Sequence, residues 1–541
     1  MEDHAFFPPT NAFTRLPQDI QWHMFSFVAN MNAPLEYDTF TDSNLLQSTA
    51  LEDLISASQV CEAWRNILLR SSSIWAKVLR LDVLSQYSEE WREEILRRTG
   101  TAQLCIMGRI RGPTRIYAYG ASLISGQWHR DRIRMLDVRV GRDALSQKSL
   151  WDTFLRPAPH LLTFTIVFEG ARNLDITPRG SLLFAGDAPR LRNFCTKAIT
   201  STIDSSWSRN IRRLHLEAAA FGVADILEAL KHMPTLEYLD IHYFAGPAPS
   251  LLPAEESIIL PNLADLRITN KLELSLPFIH AICPSNRCAL IWATIGIAHS
   301  PVSNDAALMI QRALRRFSSG YFKSGKVKSL RLALGEGRFE FGTTSSVYNP
   351  PADIFTDLPG DDSAFYVNLT SGIPAQTQWM LLSSLSHLDF SSTKRLDFRP
   401  LRPFMEASED MDQLSVFFKA LVSVETLSTA DEGTTFILEC SMDASCLPAL
   451  RRWELHNSIE SEFDVLTFLT SRSNLGLPIA VLDLTDNQVG DWGLLESIEG
   501  LEVVWEVDGI INRYLCGSGD SGRLNFGYQR AFALAWQAAF T

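Results

Sequence analysis

Ile211-Arg-Arg-Leu214-His-Leu216, Leu236-Glu-Tyr-Leu239-Asp-Ile241 and Leu263-Ala-Asp-Leu266-Arg-Ile268 carry one pattern: an apolar residue, two others, a second apolar residue, one other, and a third. The last two apolar positions are two apart, the period of a strand with one buried face, and the first seats the approach to it. The same pattern begins at Ile133, Leu161, Val327, Leu385, Leu450 and Ile479, with a weaker copy at Leu191-x-x-Phe194. From Ile133 through Leu191 to Leu263 the starts are separated by 28, 30, 20, 25 and 27 residues, and from Leu450 to Ile479 by 29. Steps of 64 and 58 around Val327 point to missed strands, for which Ala289-Leu-Ile-Trp292 and Phe365-Tyr-Val-Asn-Leu369 are the candidates.

Windows between the strands read as helices: Phe221 to His232, Asp305 to Phe317, Asp412 to Leu421 and Phe463 to Leu469. Pro159, Pro189, Pro234, Pro261 and Pro448 stand just before strand approaches, where proline ends the preceding helix or loop. Units of this length, each too small to bury its own apolar face, stack into a repeat array, and the spacing falls in or near the leucine-rich-repeat range. Asparagine after the strand is mostly absent, Asn487 being the best example, so the expected β-α solenoid is leucine-rich-repeat-like and irregular.

Towards the N-terminus the period changes. In Thr14-Arg-Leu16-Pro17-Gln-Asp19-Ile20, Pro17 suits a first helical position and Asp19 the positive end of the helix dipole. Ile20, Met24, Phe27 and Val28 then form one apolar stripe, widened by Trp22 and Phe25 beyond what a single neighbour covers. Asn30 to Ala50 is polar and reads as a loop. Helical spacing resumes at Leu54, Ala57, Cys61, Trp64 and Leu68, stops at Ser71-Ser72-Ser73, and Ile74-Trp75 begins a third apolar piece reaching Leu81.

By period alone this is a small helical cap. Its residue types say more: Leu16-Pro17-x-Asp19-Ile20, Val60-Cys61-x-x-Trp64-Arg65 and Ile74-Trp75 together resemble the F-box. The resemblance implies a helical unit docking onto the Skp adaptor, and through it a cullin, of an SCF ubiquitin ligase. It places Leu16, Pro17 and Ile20 in the first adaptor-contacting segment and Val60, Cys61 and Trp64 in the second. Downstream, Ser88 reads as an N-cap, with Glu89 and Glu90 in the first turn and Arg97 and Arg98 before Gly100. The string Trp91…Ile95-Leu-Arg-Arg-Thr-Gly100-Thr-Ala-x-Leu104 resembles the segment after the F-box in mushroom-forming fungal F-box proteins. The expected fold class is therefore α/β: an all-helical F-box module over 13–80, a connecting helix and strand over 81–130, and a leucine-rich-repeat-like recognition domain over 131–541.

Composition sets outer bounds. The chain has 541 residues, 46 % hydrophobic and 21 % charged, which excludes wholesale disorder, and is too long for one compact core. A net charge of −13 argues against general nucleic-acid or anionic-membrane binding. The acidic start, MEDHAFF, does not read as a secretory signal, and Ala289 to Ala298 is too short to span a bilayer. The 8 cysteines hold no CxxC pair, which suits a reduced compartment, cytoplasmic or nuclear.

Charge is uneven. Met107 to Arg142 holds eight arginines against two aspartates, whereas Met405 to Asn512 holds 21 acidic and 4 basic residues. Arg130, Arg132 and Arg134 read either as ordinary solvated or ion-paired surface, or as recognition of an acidic or phosphorylated partner. Gly246 to Ser257 and Glu336 to Ser363 are candidate recognition loops. No phosphate loop, dinucleotide turn, HExxH helix, nucleophile elbow or kinase signature occurs. His215, His242, His299 and His387 show no second ligand at metal spacing, so no catalytic residue, cofactor or metal is expected. Binding an unidentified protein substrate for ubiquitination is the function the resemblance implies. A repeat scaffold without ligase activity is the alternative, and an enzyme site within the repeats a third reading.

Overall fold

A computed structural model describes residues 16–30, 50–110, 115–141, 148–168, 182–197, 203, 205–217, 222–244, 257–295, 301–323, 327–335, 337–343, 364–370, 372–400, 411–430, 437, 443–456, 462–486, 491–507 and 509–526. Thr14, the connection 31–49, Arg111, Arg142, His299, Asn487, residues 246–256 and most of Glu336–Ser363 lie outside the described residues. The fold is α/β, with mostly parallel strands, and it divides into two compact units. The first comprises residues up to 250 with Ile258–Leu263, and the second the bulk of the chain from Ala264 onward.

The first unit opens with helices α1 (Gln18–Asn30), α2 (Ala50–Val60), α3 (Glu62–Arg70) and α4 (Ser72–Trp75). Leu51, Leu54, Leu68, Ile74 and Trp75 make their core. The spacing read as one helix from Leu54 to Leu68 is broken at Cys61, whose extended backbone caps α3 and leaves Glu62 in its first turn. Ser71 ends α3, and the Trp75 indole N–H donates to the Leu68 carbonyl at 2.9 Å. The helix Glu89–Arg98 follows; Ser88 caps it by accepting from the Trp91 N–H, and Gly100 takes a positive φ just beyond its end.

Strands β1 (Leu79–Arg80), β2 (Leu104–Ile110), β3 (Ile133–Val140), β4 (Thr163–Phe168), β5 (Asn193–Lys197), β6 (Arg213–Glu217) and β7 (Tyr238–His242) come next, with a short β8 (Ile258–Leu260). From β1 to β7 each strand pairs in parallel with the next, in chain order. The register puts the second apolar position of each pattern in one buried ladder, Leu136, Phe164, Phe194, Leu214 and Leu239. The third forms another, Val138, Ile166, Thr196, Leu216 and Ile241, in which Thr196 explains the weak copy at Leu191. Phe164 stacks on Phe194 with centroids 5.7 Å apart, and Phe184 and Trp207 close over them. Burying each such side chain contributes roughly 1.5–3 kcal/mol.

The second unit contains β9 (Asp265–Asn270), β10 (Ile282–Pro284), β11 (Ala289–Thr294), β12 (Ser329–Gly335), β13 (Arg338–Thr343), β14 (Phe365–Leu369), β15 (Arg395–Pro400), β16 (Thr426–Ala430), β17 (Arg452–His456), β18 (Val481–Asp483), β19 (Glu502–Val507) and β20 (Ile510–Leu515). β9, β11 and β14 are parallel neighbours, as are β12, β15, β16, β17, β18 and β19. β13 runs antiparallel between β14 and β12, and β20 antiparallel beside β19. The two long steps in the sequence pattern thus hold β11 and the β13–β14 pair. The expected helices appear as Val223–Leu230, Asn304–Phe322, Met411–Ala420 and Glu462–Asn474.

One strand expectation fails. Leu385-x-x-Leu388-x-Phe390 is the end of the helix Ala375–Leu385 and the turn after it. Leu381, Leu382 and Leu385 are that helix's buried face, and Asp389 accepts from the Ser391 N–H to form the turn. The strand follows at β15, where fully buried Thr393 stands in the first apolar position ahead of Leu396 and Phe398. Among the described residues no helix is long and apolar enough to cross a membrane.

Candidate docking face and candidate metal-ligating cluster

Helix α1 presents part of its apolar surface outward. Gln21, Phe25, Ser26 and Ala29 are its buried positions, whereas Ile20 (42 % exposed), Met24 (46 %) and Phe27 (70 %) face solvent at i, i+4 and i+7. Ile20, Met24 and Phe27 of the apolar stripe thus form an open face, with Val28 half-buried beside them. Gln21 is accommodated inside because its amide donates to the Leu16 carbonyl at 2.7 Å. Phe25 packs edge to face on Trp64 of α3, and the Arg65 guanidinium donates to the Ser58 carbonyl at 3.1 Å, joining α3 to α2.

Of the expected adaptor-contacting residues, Leu16, Pro17, Ile20 and Val60 are exposed, while Cys61 and Trp64 are half-buried. Met24, Phe27 and Leu69 are exposed apolar side chains beyond that set. The helical spacing contained Met24 and Phe27 but could not say which side of the stripe faced inward.

In the first unit's sheet, the strand positions between the buried ladders form rows on the opposite face. One row runs Asp137, Thr165, Cys195, His215, Asp240, and the next Arg139, Val167, Lys197, Glu217, His242. Lys197 and Glu217 pair at 2.5 Å. Burial pushes the Asp137 carboxyl up to about 6, with Arg139 opposing the shift. Burial likewise pushes the Tyr243 hydroxyl up to about 12, reinforced by Glu217.

Where the two rows end, the structure brings together groups that lie far apart in local spacing. Asp240 is 3 % exposed; its Oδ2 lies 2.8 Å from His215 Nδ1 and accepts from the Tyr238 hydroxyl at 3.2 Å. Its Oδ1 lies 2.6 Å from His242 Nε2, and the two imidazole centroids are 5.6 Å apart. Burial opposes ionisation of Asp240, but His242 and His215 outweigh it and hold the carboxyl well below the usual carboxylate range. The signal was in the repeat: His215 and Asp240 occupy the same place in successive patterns, between the second and third apolar residues. Parallel register makes equal places neighbours.

Of the three arginines considered for partner recognition, Arg130 and Arg134 are exposed. Arg132 precedes β3, and its guanidinium donates to the Thr99 hydroxyl at 2.8 Å, the Ala102 carbonyl at 3.0 Å and Gln127 Oε1 at 3.0 Å, tying three segments together.

In the second unit the corresponding sheet face is a charge network. Asp397 receives Arg331 Nε at 2.9 Å and Arg399 Nε at 3.0 Å. Glu340 meets Arg331, Arg338 and the Tyr366 hydroxyl. Arg395 holds Glu454 through both guanidinium nitrogens, and Arg452 joins Glu454 to Asp483. Part of the C-terminal acidity is thus neutralised within the sheet. Compared with the models of known protein families and with curated proteins, the chain matches none.

Proposed function

We propose that this chain is the substrate-recognition subunit of an SCF-type E3 ubiquitin ligase. In this reading α1 to α4 form an F-box-like module that docks onto the Skp adaptor, and through it a cullin. The parallel strands and intervening helices act as an irregular leucine-rich-repeat-like solenoid that holds a protein substrate, in the cytoplasm or nucleus. The observation that carries it is the outward apolar stripe Ile20, Met24, Phe27 on α1, with Val60 at the end of α2 63 % exposed. Exposed aromatic and aliphatic groups of this size, set on a helix whose other face is packed, are what a partner's groove covers. The resemblance of Leu16-Pro17-x-Asp19-Ile20 and Val60-Cys61-x-x-Trp64 to the F-box names the partner.

The chain then needs no catalytic group of its own. Holding the substrate beside a ubiquitin-loaded enzyme raises the effective concentration of one for the other. Co-expression with a Skp adaptor and cullin tests this. Wild type should co-purify with both, and the Leu16→Ala/Pro17→Ala variant should lose both. A wild-type chain that retains neither overturns the reading, and one that retains the adaptor without a cullin supports the non-ligase scaffold instead.

A further inference from the structure

We propose that His215, Asp240 and His242 form a binding site for a divalent transition-metal ion of the zinc class, on the polar face of the first unit's sheet. Their ligand atoms all lie within 4.8 Å of one another. The sheet sets this up without help from a loop. His215 and Asp240 are register partners on adjacent parallel strands, about 4.8 Å apart in the backbone, and His242 lies two residues past Asp240 on the same face.

The donor set selects the ion. Two imidazoles and a carboxylate suit zinc, cobalt or nickel, whereas calcium and magnesium take oxygen donors. Asp240 is the anchor, being buried and fixed through Oδ2 by the Tyr238 hydroxyl in the manner of an outer-shell ligand partner. Its Oδ1 is buried and lies 2.6 Å from His242 Nε2. Both imidazoles thus approach the one carboxylate, His215 at Oδ2 and His242 at Oδ1.

Ligands about 2.0–2.1 Å from a tetrahedral ion stand roughly 3.3 Å apart, so seating one moves the His215 and His242 nitrogens about 0.5–0.7 Å away from the carboxylate oxygens they face at 2.8 and 2.6 Å. Both rings are only half-buried, with side-chain exposures of 23 % for His215 and 17 % for His242. Three protein ligands leave a fourth position open to the same face. Cys195, in register with His215 one strand away, is a soft donor along the row. A histidine, cysteine or carboxylate of a bound partner is another.

The site is independent of the ligase reading, because its test requires neither adaptor nor substrate. The full-length chain, stripped with a chelator, would be titrated with Zn²⁺ by calorimetry and with Co²⁺ by visible absorption. We expect one equivalent of Zn²⁺ at micromolar or lower concentration, a tetrahedral-type Co²⁺ spectrum, and no response to Mg²⁺ or Ca²⁺. Outer-shell changes at metal sites cost about 10–100-fold in affinity, so removing a ligand should weaken binding by at least about 100-fold in Asp240→Asn and in His242→Ala. Circular dichroism of each variant shows whether its fold is retained. Should a variant not fold, the wild-type Co²⁺ spectrum and a rise in Tm with Zn²⁺ still decide. A wild type that binds no Zn²⁺ at micromolar concentration, or a folded His215→Ala/His242→Ala variant that binds it unchanged, overturns the proposal and leaves the three residues as an ion-paired cluster.

Discussion

Phe25 and Trp64 meet edge to face, ring centroids 5.2 Å apart, and the contact pins α1 to α3 while Phe27, two residues on, points to solvent. Packing and exposure are thus assigned to different aromatics of one short helix. Trp64→Ala should destabilise the helical module by about 1.5–3 kcal/mol, combining lost burial with an aromatic pair worth about 0.5–1.5 kcal/mol. Phe27→Ala should change stability by no more than about 0.5 kcal/mol, as surface substitutions do. Urea unfolding of the two variants checks the contrast, and equal losses would refute it.

Arg331 bridges two buried carboxylates, Asp397 and Glu340. Arg331→Met should cost about 1–3 kcal/mol, because it takes one cation from each carboxylate and leaves Asp397 to Arg399 and Glu340 to Arg338, rather than because the pair itself is strongly stabilising. Adding Asp397→Asn should recover part of that loss. A double variant no more stable than Arg331→Met would contradict the account.

Asp137 supplies a pH dependence. Burial raises its carboxyl from 3.8 to about 6, so between these values the folded chain holds a proton that the unfolded chain releases. Its contribution is therefore most favourable below about pH 4 and is lost as pH rises through 6. Asp137→Asn should stabilise the protein by about 1–2 kcal/mol at neutral pH, after allowance for its partial exposure, and by nothing at low pH. Urea midpoints measured across that range would disprove this if the variant's advantage were independent of pH.

Gly320 lies inside the helix Asn304–Phe322, where alanine is ordinarily better by about 0.8–1.0 kcal/mol. Here a methyl group would overlap the Asn286 carbonyl oxygen and approach its carbon to 2.8 Å. The obstacle is backbone and cannot swing away, so Gly320→Ala should lower Tm. A raised Tm would show that the segment around Asn286 yields.

The strands were legible because each encodes its own buried face: Leu214 and Leu216, or Leu239 and Ile241, announce a strand wherever they sit. The pattern misled at Leu385, where helix-spaced leucines happened to fit it, and missed β15, where Thr393 replaces the leading apolar residue. The facing of α1 was beyond sequence, since a stripe such as Ile20, Met24, Phe27 has the same period whether a core or a partner covers it. The His215, Asp240 and His242 cluster was legible in principle, because equal places in successive parallel repeats become neighbours. Metal-ligand spacing runs along the chain, whereas the sheet brings these three residues together across it.

The central claim is that α1 offers its apolar stripe to a Skp-type adaptor. The most direct measurement is calorimetric titration of a purified Skp adaptor into the full-length chain and into its Phe27→Glu variant. Covering a phenylalanine side chain contributes about 1.5–3 kcal/mol, and burying an unpaired carboxylate in its place costs more. The account predicts binding by wild type, and at least a roughly 100-fold loss in a Phe27→Glu variant whose circular dichroism is unchanged. No binding by wild type, or equal binding by the variant, would contradict it.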